Sequence, residues 1–124
     1  MAQDETGKTD DITIFHNPGC STSRNVLAAI REAGRTPTVV EYLKAGWSKD
    51  QLKGLLARMG AHPRDILRVR GTPAEALGLT AAGVKDDALL DAMVAHPVLV
   101  ERPIVTSGKG VVLCRPADRL KDVL

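Results

Sequence analysis

The sequence has few cysteines and few aromatic residues. Two of its 124 residues are cysteine, and Trp, Tyr and Phe occur once each. Cys20 and Cys114 are too far apart in sequence for a C-x-x-C redox pair or for the paired ligand spacing of a zinc site. Two cysteines are too few for a secreted disulfide framework, and the aromatic surface is small for stacking on bases. Both of those protein classes are therefore disfavoured.

The sequence also lacks a long apolar run and a strong net charge. No segment approaches the roughly eighteen consecutive apolar residues of a membrane-spanning helix, and residues 1–11 are polar where a signal peptide would be apolar. The net charge of +2 is too small to indicate nucleic-acid binding. We therefore expect a cytoplasmic protein with reduced thiols that binds neither membranes nor nucleic acid.

The length of the chain fits one domain with its own hydrophobic core. Residues 1–10 carry no hydrophobic periodicity, so they are predicted to form a mobile polar tail and to leave residues 11–124 as the domain. Residues 12–15 are typical of a short buried strand, and the helical pattern after them ends before Gly34. The β-branched residues 38–42 follow a helix long enough for a right-handed crossover, which predicts a strand parallel to the first.

The middle of the chain is predicted to be helical. Capping-box patterns at residues 48–51 and 72–75 predict two helix starts, and residues 63–69 are typical of a short helical turn. Residues 87–95 place their apolar side chains on one helical face.

The end of the chain is predicted to be β-β-α. Residues 103–107 and 111–114 flank a glycine-containing turn, which predicts a hairpin, and Pro116 is expected to begin a last helix. The expected fold class is therefore α/β: a small mixed sheet of the thioredoxin-like kind, β-α-β … β-β-α, with a helical insertion in the middle.

Cys20 occupies the turn between the first strand and the first helix. The N–H groups of a helix's first turn carry partial positive charge, which favours a thiolate there. His16 could add charge or a hydrogen bond, and the hydroxyls of Ser21, Thr22 and Ser23 could donate to the sulfur or to a bound oxyanion. A buried, inert cysteine and an ordinary loop histidine remain the alternatives, although the Pro-Gly turn favours a reactive Cys20.

An anion site at this turn would have to draw on arginines that are distant in sequence. The phosphatase-type C-x5-R loop is absent, because Val26 stands where its arginine would be. Arg68, Arg102 and Arg115 each lie beside a predicted element end, and a guanidinium suits a tetrahedral oxyanion. Taken singly, each is equally compatible with a surface charge or a salt bridge. Cys114, by contrast, lies in an apolar run and is predicted to be structural.

Three motifs together resemble the glutaredoxin-coupled arsenate reductase family. They are HNPGCSTSRN at residues 16–25, ERPIV at residues 101–105 and LCRP at residues 113–116, in the family's order. The resemblance implies the thioredoxin-like fold, with Cys20 as the nucleophile that attacks arsenate and His16 as the residue that helps to activate it. It also implies that three arginines bind the oxyanion, namely Arg68, Arg102 and Arg115. Ser21, Thr22, Ser23 and Arg24 would support the site.

The resemblance further implies a reaction cycle. A covalent adduct of Cys20 with arsenate is attacked by glutathione as cosubstrate, and glutaredoxin resolves the glutathionylated species as arsenite is released, a reaction of arsenic detoxification. No metal and no bound cofactor are implied, and the Arg102–Pro103 peptide would be cis. Val69 and Arg70 depart from the family, which often has a Lys-Asn pair there.

Two other functions share parts of this pattern. Transcriptional regulators of the Spx type have the same fold and the Arg-Pro motif, but they carry a C-x-x-C switch where this chain has Ser23. A glutathione-dependent disulfide reductase with a single cysteine is the other alternative, and three arginines argue against it because a peptide disulfide has no compact dianion to bind.

Overall fold

The computed structural model describes residues 10–124, so the tail predicted for residues 1–10 lies outside the described residues except for Asp10. Contacts divide the chain into two compact units, one ending at Glu41 and resuming as Arg102–Leu124, the other Tyr42–Glu101. We call them the sheet unit and the helical unit. That residues 11–124 are one domain stays a prediction.

The sheet unit contains four strands in the order β2-β1-β3-β4. β1 and β2 pair in parallel, whereas β1 with β3 and β3 with β4 pair antiparallel, so the predicted crossover and hairpin are both confirmed. Helix α1 (Ser21–Glu32) makes the crossover, and Gly34 follows it at a φ of 81°, which suits a residue without a Cβ. The strands are β1 (Thr13–His16), β2 (Thr38–Glu41), β3 (Ile104–Ser107) and β4 (Gly110–Leu113).

One apolar face of the sheet packs against α1 and the C-terminal segment. The predicted last helix is a 3₁₀ helix, Ala117–Asp122, rather than an α-helix, because its N–H groups bond to carbonyls three residues back, as Arg119 does to Pro116. The buried cluster consists of Ile12, Ile14, Val26, Ile30, Val105, Val112, Cys114, Leu120 and Val123.

The helical unit contains the predicted insertion. Its helices are α2 (Tyr42–Ala45), α3 (Lys49–Met59) and α4 (Asp86–Ala95), with 3₁₀ turns at Pro63–Ile66 and Pro97–Leu99. The first capping box is confirmed: the Ser48 Oγ accepts the Gln51 N–H at 3.0 Å, and the Gln51 Oε1 accepts the Ser48 N–H at 3.4 Å. Among the described residues, no helix is long and apolar enough to cross a membrane.

The second capping box does not begin a helix, and that prediction was wrong. The Thr72 Oγ1 does accept the Ala74 N–H at 3.2 Å, as a cap would. However, the chain makes a single helical turn and then reaches Gly78 at a φ of 74°, where the Leu79 N–H bonds back to the Ala74 carbonyl. A left-handed glycine six residues after the cap stops the helix before a second turn can form.

Tyr42 differs from its predicted place at the end of the second strand. It begins α2 instead, is 1% exposed, and stacks on Trp47 with ring centroids 5.3 Å apart. Burial of a large aromatic side chain in the helical unit therefore overrides the β-propensity of the preceding Val-Val-Glu run.

Candidate active site

Cys20 lies at the N-cap of α1, in the turn that follows β1. Its backbone is extended, with φ −102° and ψ 123°, and its carbonyl accepts the Arg24 N–H at 3.0 Å to begin the helix. The turn is closed by two hydrogen bonds to Asn17, whose carbonyl accepts the Cys20 N–H at 3.0 Å and whose Oδ1 accepts the Gly19 N–H at 2.9 Å. The half-buried thiol is therefore held at a helix N-terminus.

The surroundings of Cys20 favour the thiolate. Partial burial raises the pKa of this thiol. The Arg102 side chain and the backbone N–H groups of Ser23 and Thr22 together lower the pKa by more than burial raises it, so the net pKa lies below the ordinary value of 9.0. The sulfur makes no capping hydrogen bond of good geometry, so these N–H groups act as oriented dipoles at the helix start. Cys20 thus has the properties of a nucleophile.

His16 is the last residue of β1 and is 5% exposed. Its Nδ1 lies 2.7 Å from the Ser23 Oγ. Burial lowers the pKa of this imidazole, and the positive charges of Arg31 and Arg24 add to that effect while Glu41 opposes it. The ring is therefore neutral near pH 7. The described groups that shift the Cys20 pKa do not include His16. That His16 is catalytic stays a prediction.

The residues predicted to support the site have different surroundings. Ser21 is exposed and Thr22 is half-buried, whereas Ser23 is fully buried. Arg24 donates from Nη1 to the Pro18 carbonyl at 2.8 Å, which fastens the turn from the outside. Of the three predicted hydroxyls, that of Ser23 bonds to the His16 ring, and the support that Ser21, Thr22, Ser23 and Arg24 give to an anion site stays a prediction.

Arg102 and Arg115 come together in the sheet unit. The Arg115 Nη1 donates to the Arg102 carbonyl at 3.1 Å, and Arg102 is the arginine that lowers the Cys20 pKa. The Arg102–Pro103 peptide is cis, as the resemblance implies, and Arg115–Pro116 is cis as well. Two guanidinium groups from two different strand ends thus belong to the same unit as the thiol.

Arg68 belongs to the helical unit, and its place in an anion site stays a prediction. Its Nη1 lies 2.8 Å from the Glu101 Oε1, and these side chains are only 16% and 23% exposed. Its backbone N–H bonds to the Leu99 carbonyl at 2.7 Å, so the residue is held both at its backbone and at the tip of its side chain. A charge-assisted pair of this kind fixes the orientation of an arginine.

Cys114 cannot share the chemistry of Cys20. It is 0% exposed, and burial raises the pKa of its thiol to about 12. The prediction that it is structural is confirmed. Among the described residues, there is no group of three or more His, Cys, Asp or Glu side chains that could hold a metal ion.

Sequence reasoning missed the roles of two residues. Asn17 closes the nucleophile turn, and Glu101 holds Arg68. The Asn-Pro-Gly sequence was a usable signal for Asn17, because asparagine side chains commonly bond to a backbone N–H two residues on. The sequence around Glu101 did not indicate its contact with Arg68, because the two residues are 33 positions apart.

Comparisons with known proteins show what this chain is similar to. Residues 15–123 match the model of the ArsC family. The arsenate reductase ArsI2 of Synechocystis sp. is 52% identical over 113 residues, which are 91% of this chain and 81% of that protein. The arsenate reductase of Rhizobium meliloti is 49% identical over 113 residues, with the same two shares.

A solved structure, the arsenate reductase from Vibrio cholerae, superimposes with a TM-score of 0.88 at 35% identity, over 94% of this chain and all of that one. This agreement confirms the thioredoxin-like fold class. With most of its length matched by the family model and about half of its residues identical to those of curated relatives, this chain belongs to the ArsC family.

Proposed function

We propose that this chain reduces arsenate to arsenite through a covalent adduct on Cys20, with glutathione as cosubstrate and glutaredoxin as the resolving partner. The observation that carries the proposal is the position of Cys20 at the N-cap of α1, where the helix start and Arg102 lower the pKa of its thiol. The relatives and the solved neighbour that are named arsenate reductases support arsenate as the substrate.

The first step is attack of the Cys20 thiolate on As(V). An S–As bond forms, and one As–O bond breaks so that its oxygen leaves as hydroxide and takes up a proton to become water. The arsenate dianion repels an approaching thiolate, and guanidinium groups offset that repulsion and stabilise charge on the oxygens. We assign this task to Arg102 and Arg115, and to Arg68 as the predicted third arginine.

The second step supplies the electrons. The thiolate of glutathione attacks the Cys20 sulfur, the S–As bond breaks, and its electron pair stays on arsenic, which becomes As(III). Arsenite leaves, and Cys20 remains as a mixed disulfide with glutathione. A thiolate of glutaredoxin then attacks the glutathione sulfur and releases the Cys20 thiolate, so the two electrons come from two thiols outside the chain.

This cycle fits the two cysteines of the chain. Because Cys114 is buried and its pKa is about 12, it cannot act as the second thiol in the folded protein. The need for reduced glutathione also supports a cytoplasmic location, since the cytosol is kept reducing by that pool.

The test is an arsenate-to-arsenite assay with glutathione and glutaredoxin, with glutathione alone, and with no thiol. We expect turnover with the complete system, loss of turnover in Cys20→Ser, and retention of most of it in Cys114→Ala, which removes the thiol without burying a new polar group. Absence of turnover with every thiol donor would refute the proposal in favour of the regulator, and turnover of a glutathionylated peptide alone would favour the disulfide reductase.

The arginines are tested in the same assay. Because a hydrogen bond to a charged group contributes about 1.5–3 kcal/mol, we expect roughly tenfold to a hundredfold lower kcat/KM in Arg68→Ala, Arg102→Ala or Arg115→Ala. Arg35→Ala is the matched control, since Arg35 pairs with Asp10 and Asp11 instead. Equal kinetics in all four variants would remove the arginines from the site.

A further inference from the structure

Ser23 makes contacts that an anion-binding hydroxyl would not make. It is 0% exposed, and its Oγ lies 2.7 Å from the His16 Nδ1. The same oxygen accepts the backbone N–H of Asn17 at 3.1 Å. One buried hydroxyl thus joins the end of β1, the turn that follows it and the first turn of α1.

We propose that Ser23 is a positioning residue whose hydroxyl locks the His16 ring and the Asn17 backbone, and thereby fixes the turn that aims the Cys20 sulfur. The proposal rests on the proposed role of Cys20 as the nucleophile, and it assigns Ser23 no contact with arsenate.

The hydrogen-bond inventory sets the direction of each bond. A serine hydroxyl has one hydrogen to donate, and the Ser23 oxygen already accepts the Asn17 N–H. The oxygen has a second lone pair, but no other acceptor bonds to this hydroxyl among the described contacts, so we assign its hydrogen to the His16 Nδ1, which leaves the ring proton on Nε2. Burial and the nearby charges of Arg31 and Arg24 keep the ring neutral against the opposing Glu41.

The bond to Asn17 transmits the constraint to the thiol. Asn17 accepts the Cys20 N–H through its carbonyl and the Gly19 N–H through its Oδ1, so the residue that Ser23 holds also closes the turn. The backbone N–H of Ser23 is one of the groups that lower the Cys20 pKa. If the side chain of Ser23 is removed, that N–H remains, but the turn loses the anchor that keeps the sulfur in line with it.

The first measurement follows the alkylation rate of Cys20 by iodoacetamide as a function of pH in Ser23→Ala, in a Cys114→Ala background. We expect the rate at pH 7 to fall about fivefold, which corresponds to about 1 kcal/mol of lost thiolate stabilisation, while the rate above pH 10 stays the same. Ser23→Thr keeps the hydroxyl and should restore the wild-type profile. Ser48→Ala, which removes a capping serine from α3, controls for lost stability alone.

An unchanged profile in Ser23→Ala would overturn the proposal, and so would an equal fall at every pH, which indicates altered access rather than altered ionisation. Neither outcome depends on arsenate, so this result is separate from any failure of the proposed reaction.

The second measurement needs no variant. The nitrogen-15 NMR shifts of the His16 ring in the wild-type protein should show a neutral imidazole protonated on Nε2 at pH 7. A ring protonated on Nδ1, or a charged ring at that pH, would refute the assignment.

Discussion

The two cysteines should differ by more than three orders of magnitude in their reactivity toward an alkylating reagent. Burial raises the pKa of Cys114 from 9.0 to about 12, so at neutral pH it holds about a thousandfold less thiolate than an ordinary cysteine does. The pKa of Cys20 lies below 9.0, which widens the difference. The thiolate is the reacting species, and Cys114 is in addition 0% exposed.

The assay is alkylation by iodoacetamide at pH 7.5, followed by intact mass and peptide mapping. We expect the native protein to take up one adduct, at Cys20, and Cys20→Ser to take up essentially none until guanidinium chloride unfolds it. In that variant the slow reaction of Cys114 should follow the free energy of unfolding, since only the open state exposes the sulfur. A native Cys114 that reacts within tenfold of the Cys20 rate would refute both the burial argument and the claim that the chain lacks a second usable thiol.

Three further predictions follow from the described contacts. Arg102→Ala should slow Cys20 alkylation at pH 7 but not above pH 10, whereas Arg35→Ala should leave the profile unchanged; equal profiles would show that Arg102 does not stabilise the thiolate. The pKa of His16 is lower in the folded than in the unfolded protein, so unfolded chains bind more protons and the free energy of unfolding falls with acidification below pH 6.5. Denaturant titrations at several pH values should show a smaller fall in the free energy of unfolding for His16→Gln. An equal fall in both proteins would contradict the lowered pKa. Ser48→Ala should lower the free energy of unfolding by about 1 kcal/mol through loss of the α3 cap, which a denaturant series on the variant and on an exposed control, Thr80→Ala, would measure.

The sequence was informative where a structure depends on neighbouring residues. The strand, turn and helix around Cys20 and the capping box at Ser48 are local patterns, and the structure has them as expected. The second capping box failed because a cap can only start a helix, and Gly78 ends this one after one turn. Contacts between distant residues, such as Arg68 with Glu101, leave no periodicity in the sequence and could not be predicted from it.

Ser23 stands where a C-x-x-C pair with Cys20 would have its second cysteine, and this bears on how a Cys20 adduct can be resolved. A cysteine at this position would complete a C-x-x-C pair and let the chain resolve its own adduct, but serine cannot form a disulfide. The side chain instead bonds to His16 and Asn17, so its replacement by cysteine would lose an anchor as well as gain a thiol. Since the other thiol, Cys114, is buried and protonated, one reactive sulfur remains among the described residues. Reduction of As(V) to As(III) takes two electrons, and one cysteine that must return as a thiol cannot supply them. Under the proposed reaction the residues of this chain therefore require an external reductant, and glutathione is a thiol that would meet this requirement.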